Sequence, residues 1–204
     1  MTIIDITRPL DTVAPWPGEQ AFRRQLSKTH AADGWEVAGL TTGSHTGTHV
    51  DAPAHLLPAG ARLGELGLDP FIGSAVVVDG GGEAPVGASV LDGVELRPGD
   101  RVLLKTVNSH RDAACFQRDF AYPSPELVER LLELPLSLLG VDGPSVDGFN
   151  GEPAVHRLLF SAGLPVLENI DLSRATPGRY RLICLPLAIP GAEGAPCRAV
   201  LLAE

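Results

Sequence analysis

The sequence predicts an α/β fold, one domain over residues 1–204, built on a mixed, strand-rich sheet or barrel with few helices. Three observations carry this. Short apolar runs bounded by Gly and Pro dominate the chain, the pattern of buried or half-buried strands. Only two segments combine a helical apolar face with start and stop signals. Between Leu136 and Glu168 the order reads strand, loop, helix, strand, the unit that joins parallel strands by a right-handed crossover. A length of 204 residues suits one core at a prior of about 150 residues per domain. The 23 Gly and 18 Pro are about a fifth of the chain, well above the usual share, and imply many turns and loops.

The strand candidates run in order Ile3 to Ile6, Glu36 to Thr42, Ala75 to Val78, Arg101 to Val107, Leu136 to Val141, Pro165 to Leu167, Tyr180 to Leu187 and Arg198 to Leu202. Pro98-Gly99 marks a turn before the fourth. The first helix, Ser124 to Leu134, opens Ser-Pro-Glu and carries Leu127, Val128, Leu131 and Leu132 on one face. The second, Pro153 to Ala162, starts at a proline and stops at Gly163. Ligands of such crossover units collect at helix N-termini and beyond the carboxyl ends of strands. His156 and Glu168 hold those two places.

Sixteen basic against 25 acidic residues give a net charge of -9, with the basic residues scattered, so the footprint of a nucleic-acid binder is missing. No apolar run approaches the roughly 20 residues of a membrane span, and Met1 to Arg8 lacks the pattern of a secretory signal. Three cysteines, Cys115, Cys184 and Cys197, have neither the parity of a disulfide framework nor C-x-x-C spacing. A reducing cytoplasm is the expected compartment.

Chemistry concentrates in one segment, His45-Thr46-Gly47-Thr48-His49-Val50-Asp51-Ala52-Pro53-Ala54-His55. Gly47 and Pro53 oppose a continuous helix, so the backbone is expected to be extended or looped. In an extended chain side chains alternate, which puts the odd-numbered His45, His49, Asp51 and His55 on one face. On a straight strand His45 and His49 would stand about 13 Å apart, too far to share an ion. Either a bend or bulge at Gly47 or a single helical turn over His45 to His49 would bring them together. Nitrogen and carboxylate donors together suit zinc, with manganese second. His30 and His110 stand alone and read as surface or hydrogen-bonded residues. His156 and Glu168, taken alone, read the same way. Asp142 and Asp147 flank Gly143-Pro144 and read as turn formers, while Trp16, between two prolines, suits either a core anchor or a pocket wall.

The segment HTGTHVDAPAH resembles the H-x-G-T-H-x-D-x-P-x-H motif of the cyclase-like metal-dependent hydrolases, the family of bacterial kynurenine formamidases and isatin hydrolases. The similarity runs from Trp16-Pro17-Gly18 to the closing Leu-Pro-Leu and Arg-Ala-Val-Leu runs. It implies a swivelling β/β/α-like fold and a metal-dependent amide hydrolase, an arylformamidase acting on N-formylkynurenine or a related aromatic amide in tryptophan catabolism. The alternatives within the family are an isatin-hydrolase-like lactam hydrolase and a polyketide-type cyclase. By resemblance, His45, His49 and Asp51 match ligands of one metal and His156 and Glu168 match ligands in the second half, with Asp51 and Glu168 able to bridge. Two Zn2+ per chain follow, Mn2+ being the other candidate. His55 matches the proton-transfer residue and Trp16 an aromatic lining the substrate pocket. The family also implies a homodimer. Leu56 departs from the aromatic residue that many relatives carry after the last histidine of the motif.

Overall fold

A computed structural model describes residues 2–82 and 84–203. Its ten strands are β1 (Thr2–Asp5), β2 (Arg23–Lys28), β3 (Val37–Thr41), β4 (His49–Asp51), β5 (Ile72–Gly81), β6 (Arg101–Thr106), β7 (Leu138–Val141), β8 (Val166–Glu168), β9 (Gly178–Pro186) and β10 (Gly194–Ala203). Eight of them form one sheet in the order β1-β10-β4-β8-β7-β6-β5-β9, and β9 also pairs with β10. Seven strands therefore close into a barrel, with β1 attached outside on β10. The run β5-β6-β7-β8 is parallel and the remaining pairings are antiparallel. The expected α/β class and mixed barrel-like sheet are what the chain adopts.

Alternation along the strands separates two cores. Ala75 and Val77 of β5, Leu103 of β6 and Leu138 of β7 belong to the cluster the barrel encloses, with Phe71, Leu167 and Leu182. Val76, Val78, Val102, Leu104, Leu139 and Val141 face outward and pack with the helices. Two helices cover that face, α2 (Pro125–Leu132) and α3 (Ala154–Ser161), while α1 (His30–Asp33) is a single turn. At the start of α2 the Ser124 hydroxyl accepts from the Leu127 N–H at 3.2 Å, and Leu127, Val128 and Leu131 are buried. In α3, Val155, Leu159 and Phe160 are buried, and Gly163 ends the helix in the left-handed region at φ 76°. Both helices match their expected positions to within two residues, and α3 links parallel β7 to β8 as the crossover reading required.

One strand is a correction. The β2–β3 hairpin was expected only on its second strand, because every residue of Arg23–Lys28 is exposed and the stretch has no apolar alternation to reveal it. The histidine segment, expected to be extended or looped, is extended only over the three residues of β4. His45 lies in the turn before it and His55 in a 3-10 turn, Pro53–His55, after it. Among the described residues no helix is long and apolar enough to cross a membrane.

Candidate metal centre

β4 carries the centre. His49 pairs in register with Glu168 of β8, and Asp51 pairs with Val166 of β8 and Gly194 of β10. All three strand residues His49, Val50 and Asp51 are buried, with Val50 turned to the barrel core and the two flanking side chains turned the other way. His45 returns to them because Gly47 bends the chain in the left-handed region, φ 66°. A Cβ on Gly47 would also meet Leu10 Cδ2 at 2.8 Å. The bend, rather than a helical turn, is thus the solution adopted, and it sets the His45 and His49 rings 5.2 Å apart. Gly194 leaves the space that His45 fills, since a Cβ there would stand 2.8 Å from His45 Cε1 and 3.1 Å from Asp51 Oδ1.

His156 arrives from the first turn of α3. Asp147 fixes it: its carboxylate accepts the Val155 and His156 N–H groups at 2.8 and 3.1 Å and meets His156 Nδ1 at 2.7 Å. That leaves His156 Nε2 pointing at Glu168 Oε1, 3.4 Å away, and Asp51 Oδ2, 3.7 Å away. His49 is set the same way. Its Nδ1 donates to the Gly47 carbonyl at 2.8 Å, and Nε2 lies 3.3 Å from Asp51 Oδ1 and 3.4 Å from Glu168 Oε2. Glu168 is itself oriented by the Val146 N–H, 2.9 Å from Oε1.

The expected residues Trp16, His45, His49, Asp51, His55, His156 and Glu168 all line one cavity of about 190 Å³, with Glu19, Pro144 and Ser145. Trp16 is a pocket wall, packed edge-on against Phe116 at 5.2 Å and tilted against Phe149 at 5.2 Å. His55 is the most exposed of the histidines here, its ring 4.2 Å from that of His45 and 5.7 Å from that of His156. Exposed His30 and His110 stay outside the site.

The donor set fits divalent cations. Nε2 of both His49 and His156 is buried without a hydrogen-bond partner among the described residues, and both face the same pair of buried carboxylates. Ligand atoms of His49, Asp51 and Glu168 lie within 4.8 Å of one another, as do those of His45, Asp51 and His55. Electrostatics add the same demand for positive charge. Burial pushes the His45 pKa down, but Asp51 overrides it and raises the value to about 9. Burial likewise opposes His156, yet its bonds to Asp147 and the pull of Asp51 and Glu168 raise it to about 12. His55 is held below the usual histidine value by withdrawal from water and by the neighbouring His45 and His156, against the pull of Asp51.

Asp147 corrects the turn-former reading. It does stand in a bend, but its carboxylate caps α3 and orients His156. An acidic residue ahead of a helix start was the available signal. Nothing in the sequence marks Gly194.

The family model described as putative cyclase matches residues 4–148. A kynurenine formamidase of Bacillus cereus is 37% identical over 201 residues, covering 97% of this chain and 96% of the relative. The chain belongs to the putative cyclase family. Among solved structures of similar fold, a predicted metal-dependent hydrolase from Bacillus stearothermophilus is 25% identical with a TM-score of 0.82, covering 98% of this chain and 97% of that one. Isatin hydrolase A from Labrenzia aggregata, bound to benzyl benzoate, superimposes with a TM-score of 0.85 at 24% identity, over 100% of this chain and 94% of that one. As a cyclase-family chain it therefore shares its whole architecture with these hydrolases.

Proposed function

We propose that this chain is a metal-dependent amide hydrolase of the arylformamidase type, releasing formate from N-formylkynurenine or a related aryl formamide. One observation carries it: two buried imidazole nitrogens, His49 Nε2 and His156 Nε2, lack hydrogen-bond partners among the described residues while facing Asp51 and Glu168. The 37% identity to a kynurenine formamidase over nearly the full length supports the substrate class.

His45, His49, Asp51, His156 and Glu168 would together hold two ions; zinc suits the donors best, manganese next. Bound there, such ions supply Lewis acidity that lowers the pKa of water and polarises an amide carbonyl. His49 and His156 present Nε2 because Gly47 and Asp147 hold their other nitrogens, the arrangement that fixes tautomer and ring direction. His55 moves the proton. Its lowered pKa leaves it neutral at pH 7, able to take a proton from water and return it to the departing aryl amine. Trp16 and the phenylalanines behind it give the ring of an aromatic amide an apolar face.

Metal-loaded protein should hydrolyse N-formylkynurenine; turnover of isatin with none of the formamide would move the assignment to the lactam hydrolases. A homodimer in the cytoplasm completes the reading. It is supported by the exposed β2–β3 hairpin, which carries Leu26, Val37 and Leu40 and would be marginal as an isolated two-stranded ribbon, and by three cysteines that are all free.

A further inference from the structure

We propose that a second, smaller cavity beside the metal centre, built around Arg8, is a carboxylate subsite that selects acidic over neutral aryl amides. The proposal rests on the hydrolase reading for its substrate, but the site itself is argued from Arg8.

Arg8 is only 8% exposed, and arginine is always charged. Among the described residues its side chain makes one hydrogen bond, Nη2 to the Asn108 carbonyl at 3.0 Å, while Nε is buried with no partner. Among the described residues no carboxylate lies within ion-pair distance of it. A buried cation without a directly paired carboxylate is costly, which makes it an attractive site for an anion.

The acidic groups around the cavity are engaged elsewhere. Asp142 lines it, yet its oxygens accept Thr106 N and Oγ1 at 2.7 Å each, Ser109 N at 3.0 Å and Ser109 Oγ at 2.6 Å. Asp112 takes the Ala114 N–H at 3.0 Å, and Arg111, the other cation on the wall, is paired with Asp119 at 3.1 Å. Asn169 also lines the cavity, directly after Glu168, at φ 57° in the left-handed region. Non-glycine residues rarely adopt that backbone, Asn more readily than most, and such positions cluster at ligand sites. Its side-chain amide has no hydrogen bond among the described residues, whereas its backbone is tied to β4 through Thr48, whose hydroxyl donates to the Asn169 carbonyl at 2.6 Å and accepts from Arg8 N at 2.9 Å.

Size and position complete the case. The cavity measures about 50 Å³, room for a carboxylate head with a water but not for a ring. Pro144 lines both cavities, and Trp16 of the metal centre packs on Phe116 and Phe120 of the Arg8 cavity at 5.2 and 6.3 Å. An aryl amide lying along this aromatic wall, with its amide at the metal centre, would extend an acidic side arm to Arg8. The planar guanidinium suits a carboxylate better than a lysine would.

The test is calorimetric binding of 3-benzoylpropionate, an aryl ketone with an acidic arm and no amide, against neutral butyrophenone, to the metal-loaded chain. The wild type should bind the acid at least tenfold more tightly, and Arg8→Gln should reduce that preference to threefold or less. Equal binding of the two probes by the wild type overturns the proposal. So does a wild-type preference retained in Arg8→Gln, which would place the carboxylate on the metals alone. If Arg8→Gln fails to fold, Arg8→Lys decides, with at least a threefold loss of preference expected and no loss contradicting it. The kcat/KM ratio of N-formylkynurenine to formanilide should fall in parallel, since a purely structural role for Arg8 lowers both alike. Absence of turnover with both formamides would sink the hydrolase reading, while the two-probe binding result would still decide the subsite.

Discussion

His49 and Glu168 are register partners across the antiparallel β4–β8 pair, and His49 Nε2 stands 3.4 Å from Glu168 Oε2. Two residues 119 positions apart in sequence are thereby fixed by backbone pairing, before any ion contributes. The histidine motif and the β7–α3–β8 crossover are thus two halves of one centre, joined at a strand seam.

His45 depends on an absence. Because a Cβ at position 194 would press on His45 Cε1 and Asp51 Oδ1, Gly194→Ala should displace the His45 ring and weaken metal binding by at least tenfold while β10 stays paired. Competition with a chromogenic chelator measures this; wild-type affinity in the variant would show that His45 has room to shift.

Asp147→Asn should lower affinity for the second ion by about 10- to 100-fold, the usual effect of losing a carboxylate that orients a ligand histidine. Titration of apoprotein should resolve one tight and one weakened site. Two unchanged sites would reduce Asp147 to a helix cap.

Variants at His55 and His49 would separate proton transfer from metal holding. His55→Ala should retain metal and lose about 10²- to 10⁴-fold in kcat, the range for a general acid or base, whereas His49→Ala should lose metal and activity together. The donor atoms of His45, Asp51 and His55 lie within 4.8 Å, so equal metal loss in the two variants would make His55 a ligand.

In the metal-free protein His45 at about 9 and His156 at about 12 both carry protons at pH 7. Metal binding must displace them, so affinity should rise with pH and calorimetry in buffers of different ionisation heat should show release of at least two protons per chain, His49 being raised as well. The folded pKa of His45 lies above its unfolded value. Its contribution to apoprotein stability is therefore full below pH about 6.5 and lost as pH rises through about 9. Binding without proton release would contradict this.

Much of the centre was legible because its residues are chemically rare and closely spaced. Gly47 signalled the bend, and the in-phase His45, His49, Asp51 and His55 do converge, although β4 supplies only three extended residues and turns supply the rest. The crossover was legible because strand and helix periodicities differ and Gly163 ends α3. Barrel closure was not, since nothing local in β10 states that it pairs with β1, β4 and β9. The roles of Asp147 and Gly194 were hidden for the same reason: each acts on a residue that only the fold brings near.

The metal-dependent hydrolase is tested most directly by the rate of N-formylkynurenine hydrolysis by protein stripped of metal and then titrated with Zn2+. Negligible turnover is expected at zero metal and full activity near two ions per chain. Undiminished activity in metal-free protein would contradict it.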